Sequence, residues 1–98
     1  MTINITSVHF KADQKLEMFI SSKIEKLAKH FQEIIGAEVM LKLDNTDIPE
    51  NKITEVKLLI KGNDLFASKQ TRSFEESTDE AIDALKKQIE KHKGKNSK

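Results

Sequence analysis

The sequence contains no cysteine, no tryptophan and no tyrosine, and only one proline and three glycines in 98 residues. Without cysteine there is no disulfide framework, thiolate metal site or cysteine nucleophile, and a reducing compartment is compatible with the composition. So little glycine and proline excludes collagen-like and Gly/Pro-rich disordered chains. Gly36, Gly62 and Gly94 stand alone, which excludes the dinucleotide fingerprint and the P-loop pattern. No apolar run is long enough to span a membrane, and Met1 to Phe10 lacks a basic region followed by an apolar one. The expectation is a cytoplasmic protein. An excess of one charge sign is also missing: 17 Lys+Arg stand against 16 Asp+Glu, a net +1 at pH 7. The overall field neither attracts nor repels a polyanion, so any electrostatic argument must be local.

What is present is a chain with 37% apolar and 34% charged residues, enough for one small domain with a single core. Ile3, Ile5 and Ser7 alternate with Asn4, Thr6 and Val8, predicting a strand over about Thr2 to His9. Asp13 precedes a segment in which Leu16, Ile20, Ile24, Leu27 and Phe31 recur at spacings of four and three, the pattern of an amphipathic helix. Gly36 is expected to close that helix. Val39, Leu41 and Leu43 then share one face of a second strand, and Val56, Leu58 and Ile60 one face of a third, with Leu59 expected outside. The loop Asp44 to Asn51 between them holds the only proline. Gly62-Asn63 suggests a hairpin into a fourth strand over Asp64 to Thr71. From Phe74, a stripe of Thr78, Ala81, Ile82, Leu85 and Ile89 predicts a second helix running to about His92, with Gly94 ending the pattern. The fold class is therefore α+β, ordered β-α-β-β-β-α, with both helices on one face of a four-stranded sheet. Residues 1–94 form the domain, and 95–98 a flexible basic tail.

Little in this pattern speaks for catalysis. His9, His30 and His92 have no partner at metal-ligand spacing, so no metal is expected. No nucleophile elbow is present, and Asp79 and Asp83 sit where a helix dipole favours acids. There is no reason to propose an enzyme, a cofactor or a small-molecule substrate. Charge placement is the departure. Ser73 to Leu85 carries a net −5, and Lys86 to Lys98 a net +5, more lysine than capping a helix requires. Lys87, Lys91 and Lys95 form a ridge beside the apolar stripe of the second helix. Lys23, Lys26 and His30 line one edge of the first stripe, with Lys29 on the outer face. Side-by-side packing of the helices would let both ridges flank one surface suited to phosphates. With five Phe and no other aromatic, recognition of folded RNA through phosphates and shape fits better than base stacking. The competing reading is a solvated charged face, since Glu17, Glu25, Glu33 and Glu90 are interleaved.

Four stretches stand out together: Ile3-Asn4-Ile5-Thr6, the run from Ser22 to Phe31, Val39 to Leu43, and the run from Ala81 to Lys95. In order and spacing they resemble the ribosome hibernation promoting factor family, also known as the ribosome-associated inhibitor or sigma-54 modulation protein family. The resemblance covers almost the whole chain and matches the family's short form, without the C-terminal dimerisation domain of longer members. It implies a fold resembling double-stranded-RNA-binding domains. It further implies binding to the small ribosomal subunit and its rRNA in the channel for messenger and transfer RNA, holding idle ribosomes inactive. The RNA-contacting positions it implies are Lys23, Lys26 and Lys29 in the first helix and Lys87, Lys91, Lys93 and Lys95 in the second, with Lys86 adjacent. Ala84, where many members place a lysine, and Glu90, an acid inside the basic stretch, depart from the pattern. The free protein is expected to be a monomer. An alternative use of the same fold is a protein-interaction module contacting its partner through Met40, Leu59 and Phe66 on the opposite sheet face.

Overall fold

The computed structural model describes the backbone of residues 1–96 and the side chains of residues 1–91. Six elements follow in order: β1 (Thr2–Ser7), α1 (Gln14–His30), β2 (Ile34–Leu43), β3 (Lys52–Ile60), β4 (Leu65–Thr71) and α2 (Phe74–Asn96). The sheet order is β1-β2-β3-β4. β1 and β2 are parallel, and the other two pairs are antiparallel. This is the expected β-α-β-β-β-α fold.

The topology sets the direction of the helices. Because β1 and β2 run parallel, α1 must return antiparallel to both. β4 lies two antiparallel steps from β2 and so runs the same way as β2. α2 therefore leaves the sheet from the same end as α1, and the two helices run parallel. Both start with a side-chain cap: Asp13 Oδ1 accepts from Leu16 N–H at 2.8 Å, and Ser73 Oγ from Glu76 N–H at 3.1 Å. Phe10 stacks on Phe74 at 5.0 Å between ring centroids, tying the start of α2 to the connection that leads into α1.

The two apolar stripes meet one face of the sheet. Leu16, Ile20, Ile24, Leu27 and Phe31 from α1, and Ala81, Leu85 and Ile89 from α2, are buried against Val39, Leu41, Val56, Leu58 and Ala67. One patch of this interior is polar. The Thr54 hydroxyl lies 2.6 Å from Ser77 Oγ and 3.4 Å from Thr78 Oγ1, and all three residues are fully buried. These contacts let α2 sit on β3 without an unsatisfied hydroxyl, since among the described residues no buried side-chain polar atom lacks a partner. Replacing Thr54 by valine keeps the shape and removes the shared oxygen, leaving Ser77 only the Phe74 carbonyl at 3.2 Å. Thr54→Val is expected to cost about 1–2 kcal/mol. Urea titration should show it as a lower midpoint with an unchanged slope.

Several boundaries differ from the sequence expectation. β1 ends at Ser7, two residues early, because His9 adopts a left-handed φ of 66°. α1 ends at His30, not at Gly36: Phe31 N–H makes the last helical bond to Leu27 O, and Ile34 N–H turns back to Phe31 O. Gly36 lies inside β2 beside a register irregularity, paired with Thr2 and Leu59. A Cβ there would stand 3.1 Å from Thr2 O and 3.3 Å from Leu59 Cδ1, so glycine permits a close approach of backbone and side chain. The same contact leaves Leu59 half-buried where exposure was expected. Leu43 has the core parity but is 45% exposed at the far end of β2. Gly62 does serve as the hairpin glycine, with φ 89° and the Asn63 N–H donating to Ile60 O at 3.0 Å. α2 continues through Gly94 to Asn96, beyond the end expected near His92. An isolated glycine in a helix costs only about 1 kcal/mol relative to alanine and does not terminate it.

The loop 44–51 is fastened to the end of β4. Gln70 Nε2 donates to Asp44 Oδ2 and to Glu50 O, and Arg72 Nε donates to Glu50 Oε2 at 2.9 Å. The Arg72 hydrogen bond holds the Glu50 carboxyl below its ordinary range. A carboxyl depressed in the folded state contributes stability above its unfolded value and loses it as pH falls through the folded one. This fastening therefore weakens only in acid.

Candidate nucleic-acid interface

Charge is separated along the parallel helices. Their starts, together with the loop 44–51, gather acids at one pole, and their later turns gather lysines toward the other, where the negative ends of both helix dipoles lie. The flank of α1 that meets α2 carries Lys23, Lys26 and His30. The facing flank of α2 carries Asp79, Ile82 and Lys86, with Asp83 above them. Between the helices these residues form an open groove of about 240 Å³, with Leu27 among the apolar residues lining it.

Lys23 crosses the groove to Asp79, with Nζ to Oδ1 at 3.0 Å, and its ammonium also stands 5.3 Å from the Phe19 ring centroid. Both partners of the ion pair are about half exposed, so it is worth only about 0.2–1 kcal/mol. A pair this weak does not lock Lys23 to Asp79 against a competing anion. Lys26 and Lys86 make no ion pair among the described residues. Three lysines and a histidine thus surround an anion-sized opening, countered by two aspartates.

Of the eight lysines singled out from sequence, Lys23, Lys26 and Lys86 converge in the groove. Lys29 stands outside it, beside His30, Gln32 and Glu33 at the end of α1. Lys87 is on the outer crest of α2, paired with Asp83 at 3.4 Å, one turn back. The far flank of α2 is marked by Gln88, whose Nε2 donates to Phe66 O on β4. At about 100° per residue, Lys91 falls on that same side. The α1 ridge and the Lys87–Lys91 ridge are therefore separated by Asp79 and Asp83 instead of flanking one groove. The side chains of Lys93 and Lys95 lie outside the described residues. From sequence, Asp79 and Asp83 read as partners of the helix dipole, and Lys86 as a neighbour of the RNA-contacting lysines. The i, i+4 spacing of Ile82 and Lys86 was the available signal that Lys86 shares a flank with a groove-lining apolar residue.

The opposite sheet face is uncovered by helices. Phe66 is 54% exposed there, with Met40 beside it, set among Glu38, Glu55 and Lys57 in a shallow concavity. Among the described residues no group of His, Asp or Glu is arranged to hold a metal ion. No described helix is long and apolar enough to cross a membrane.

Comparison with known proteins agrees with this architecture. The chain is 28% identical over 95 residues to the ribosome hibernation promoting factor of Salmonella typhimurium, covering 97% of this chain and 96% of that protein. It is likewise 28% identical over 95 residues to that of Escherichia coli K12, with the same coverage. A ribosomal subunit interface protein from Coxiella burnetii superposes with a TM-score of 0.85 at 17% identity, covering 96% of this chain and 99% of that one. The N-terminal domain of Thermus thermophilus Protein Y superposes at 0.80 and 16% identity, covering 94% and 99%. At these identities the two structures establish the shared fold. The sequence pattern of one family, described as Sigma 54 modulation protein / S30EA ribosomal protein, matches residues 3–97. That match leaves out only three terminal residues, and the chain belongs to this family.

Proposed function

We propose that the protein is a ribosome hibernation factor that binds the small ribosomal subunit through its rRNA. It inhibits translation by filling the channel that messenger and transfer RNA would occupy. The observation that carries the reading is the convergence of Lys23, Lys26 and Lys86 on one groove between parallel helices, in a chain of this family. Its work is binding and occlusion, in keeping with a family of ribosome-associated regulatory factors rather than enzymes. The setting is the cytoplasm, where ribosomes stand idle. The free protein acts as a monomer that presents both helices to the RNA. Lys29, Lys87 and Lys91 extend the contact beyond the groove, and Lys93 and Lys95 complete the set of RNA-contacting lysines.

Co-sedimentation with vacant small subunits across a salt series, read beside cell-free translation, tests this. With about four to six phosphates contacted, log affinity should fall with log salt at a slope of about −3 to −5. Inhibition should follow occupancy. Salt-insensitive binding, or none at low salt, would overturn the reading and favour a protein partner.

Asp79 adds a prediction of opposite sign. Since it holds Lys23 in the free protein, Asp79→Asn frees an ammonium and removes a negative charge from the groove. Affinity for small subunits is expected to rise about three- to tenfold at moderate salt. Asp64→Asn is the control, because Asp64 pairs at 3.8 Å with Lys57, which lines the concavity on the sheet face opposite the helices. The same change in net charge there should leave affinity unchanged.

A further inference from the structure

The flank of α1 turned away from α2 stands over a free edge of the sheet. Among the described residues, β1 pairs with β2 on one side and with no strand on the other. The Val8 N–H donates to Leu41 O at 2.9 Å, so Val8 turns its backbone toward β2. Backbone groups of a parallel strand alternate in direction, and the N–H and C=O groups of Ile3 and Ile5 therefore point outward. Above this edge α1 presents Glu17, Met18 and Glu25, which with Ile3 and Ile5 line an open groove of about 590 Å³. Met18 is 63% exposed, and Ile3 and Ile5 are half-buried. Unlike Asp79 and Asp83, Glu17 and Glu25 have no ion-pair partner among the described residues, and no Lys or Arg lines this groove.

We infer that this edge takes up an extended, basic peptide segment of another protein as a fifth strand. Three features select that occupant. The outward backbone groups of Ile3 and Ile5 supply ladder partners. The added strand's alternate side chains fall beneath α1, where an apolar residue meets Ile3, Ile5 and Met18. A lysine or arginine one repeat away meets Glu17 or Glu25. A second copy of this chain is a poor match, because Met1 to Phe10 contains no Lys or Arg and pairing two β1 edges would bring four carboxylates together. The inference uses the side of α1 opposite the lysine groove and stands independently of the ribosomal reading.

The test uses the whole protein and a synthetic eight-residue peptide in which lysine and valine, in turn, alternate with threonine. Amide hydrogen exchange by NMR should show saturable protection at Ile3 and Ile5. A peptide with glutamate for lysine should bind about tenfold more weakly or not at all, and Glu17→Lys with Glu25→Lys should weaken the lysine peptide about tenfold. Methylating the peptide nitrogens that face β1 should abolish binding while leaving the protein untouched, so a misfolded variant cannot imitate the result. Protection confined to the groove between the helices would overturn the inference. So would equal affinity for the two peptides, or concentration-dependent dimerisation through β1 in place of peptide binding.

Discussion

Reversing the three groove lysines together, Lys23→Glu, Lys26→Glu and Lys86→Glu, is expected to lower affinity for the small subunit at least about a hundredfold at moderate salt. The salt slope should flatten by about two to three units, because each lost phosphate contact removes nearly one released counterion. The groove concentrates the effect. Its walls carry Leu27 and Ile82, and charges set in a concave, partly apolar surface act on a ligand more strongly than the same charges on a convex one. None of the three lysines is buried, and only Lys23 takes part in an ion pair among the described residues. Circular dichroism and the urea midpoint should therefore stay close to those of the parent, so the loss of binding reports the interface. The check is co-sedimentation at several salt concentrations. If the triple variant binds as the parent does, the groove is not the contact.

Reversal of Lys87 and Lys91 gives the informative contrast. Lys87 stands on the crest of α2 and is held by Asp83, and Lys91 lies toward β4. Both are surrounded by water, where screening reduces each contact. That pair should lower affinity by about tenfold, less than the groove triple. The two variants together measure how far the RNA-binding surface extends around α2.

The difference between Lys86 and Lys87 also marks where sequence reading stops. Periodicity identified the buried stripe of each helix residue by residue, because Leu16, Ile20, Ile24 and Leu27, and Ala81, Leu85 and Ile89, have no alternative face to occupy. Alternation along β2 and β3 placed Val39, Leu41, Val56 and Leu58 inward for the same reason. A stripe, however, has two flanks. Which flank of α2 meets α1 depends on the order and direction of four strands, and those are relations between segments distant in sequence. Once β1 and β2 are parallel neighbours and β4 is an edge, Ile82 and Lys86 must face α1 and Gln88 must lie over β4. The lysine types were legible, but their grouping was not. Gly36 misled for a related reason. Glycine past an apolar stripe is a common helix terminator, yet here it answers the approach of Thr2 and Leu59, contacts invisible in the local sequence. The buried Thr54–Ser77–Thr78 hydroxyls follow the same rule. Thr78 was readable as part of the stripe, whereas its partner on β3 lies 24 residues away.

The largest loss of stability is expected from Leu85→Ala. Leu85 is fully buried at the centre of the α2 stripe, between Ala81 and Ile89, and it seats the helix on the sheet. Alanine removes the transfer free energy of the side chain and leaves a cavity that Ala81 cannot fill, a cost of about 2–5 kcal/mol. A domain of this size has only about 5–15 kcal/mol in total. At about 4–8 °C per kcal/mol the melting temperature should fall by roughly 10 °C or more. Ile82→Ala supplies the comparison. Ile82 is one residue further round, half-buried and facing the groove, so its truncation should cost less, about 1–2 kcal/mol. It should nonetheless alter binding more, because it changes the groove wall between Lys26 and Lys86. Leu85→Ala reaches the same lysines only through the seating of α2. At low temperature, where the variant is still folded, saturating small subunits should restore much of its stability, since a ligand that binds only the native state shifts the folding equilibrium by mass action. A melting temperature that rises with subunit concentration, in a variant whose defect lies inside the core, would show that the folded variant still presents a binding-competent lysine surface. If Leu85→Ala unfolds with the parent's midpoint, α2 is not held on the sheet through this residue, and the groove geometry must have another anchor.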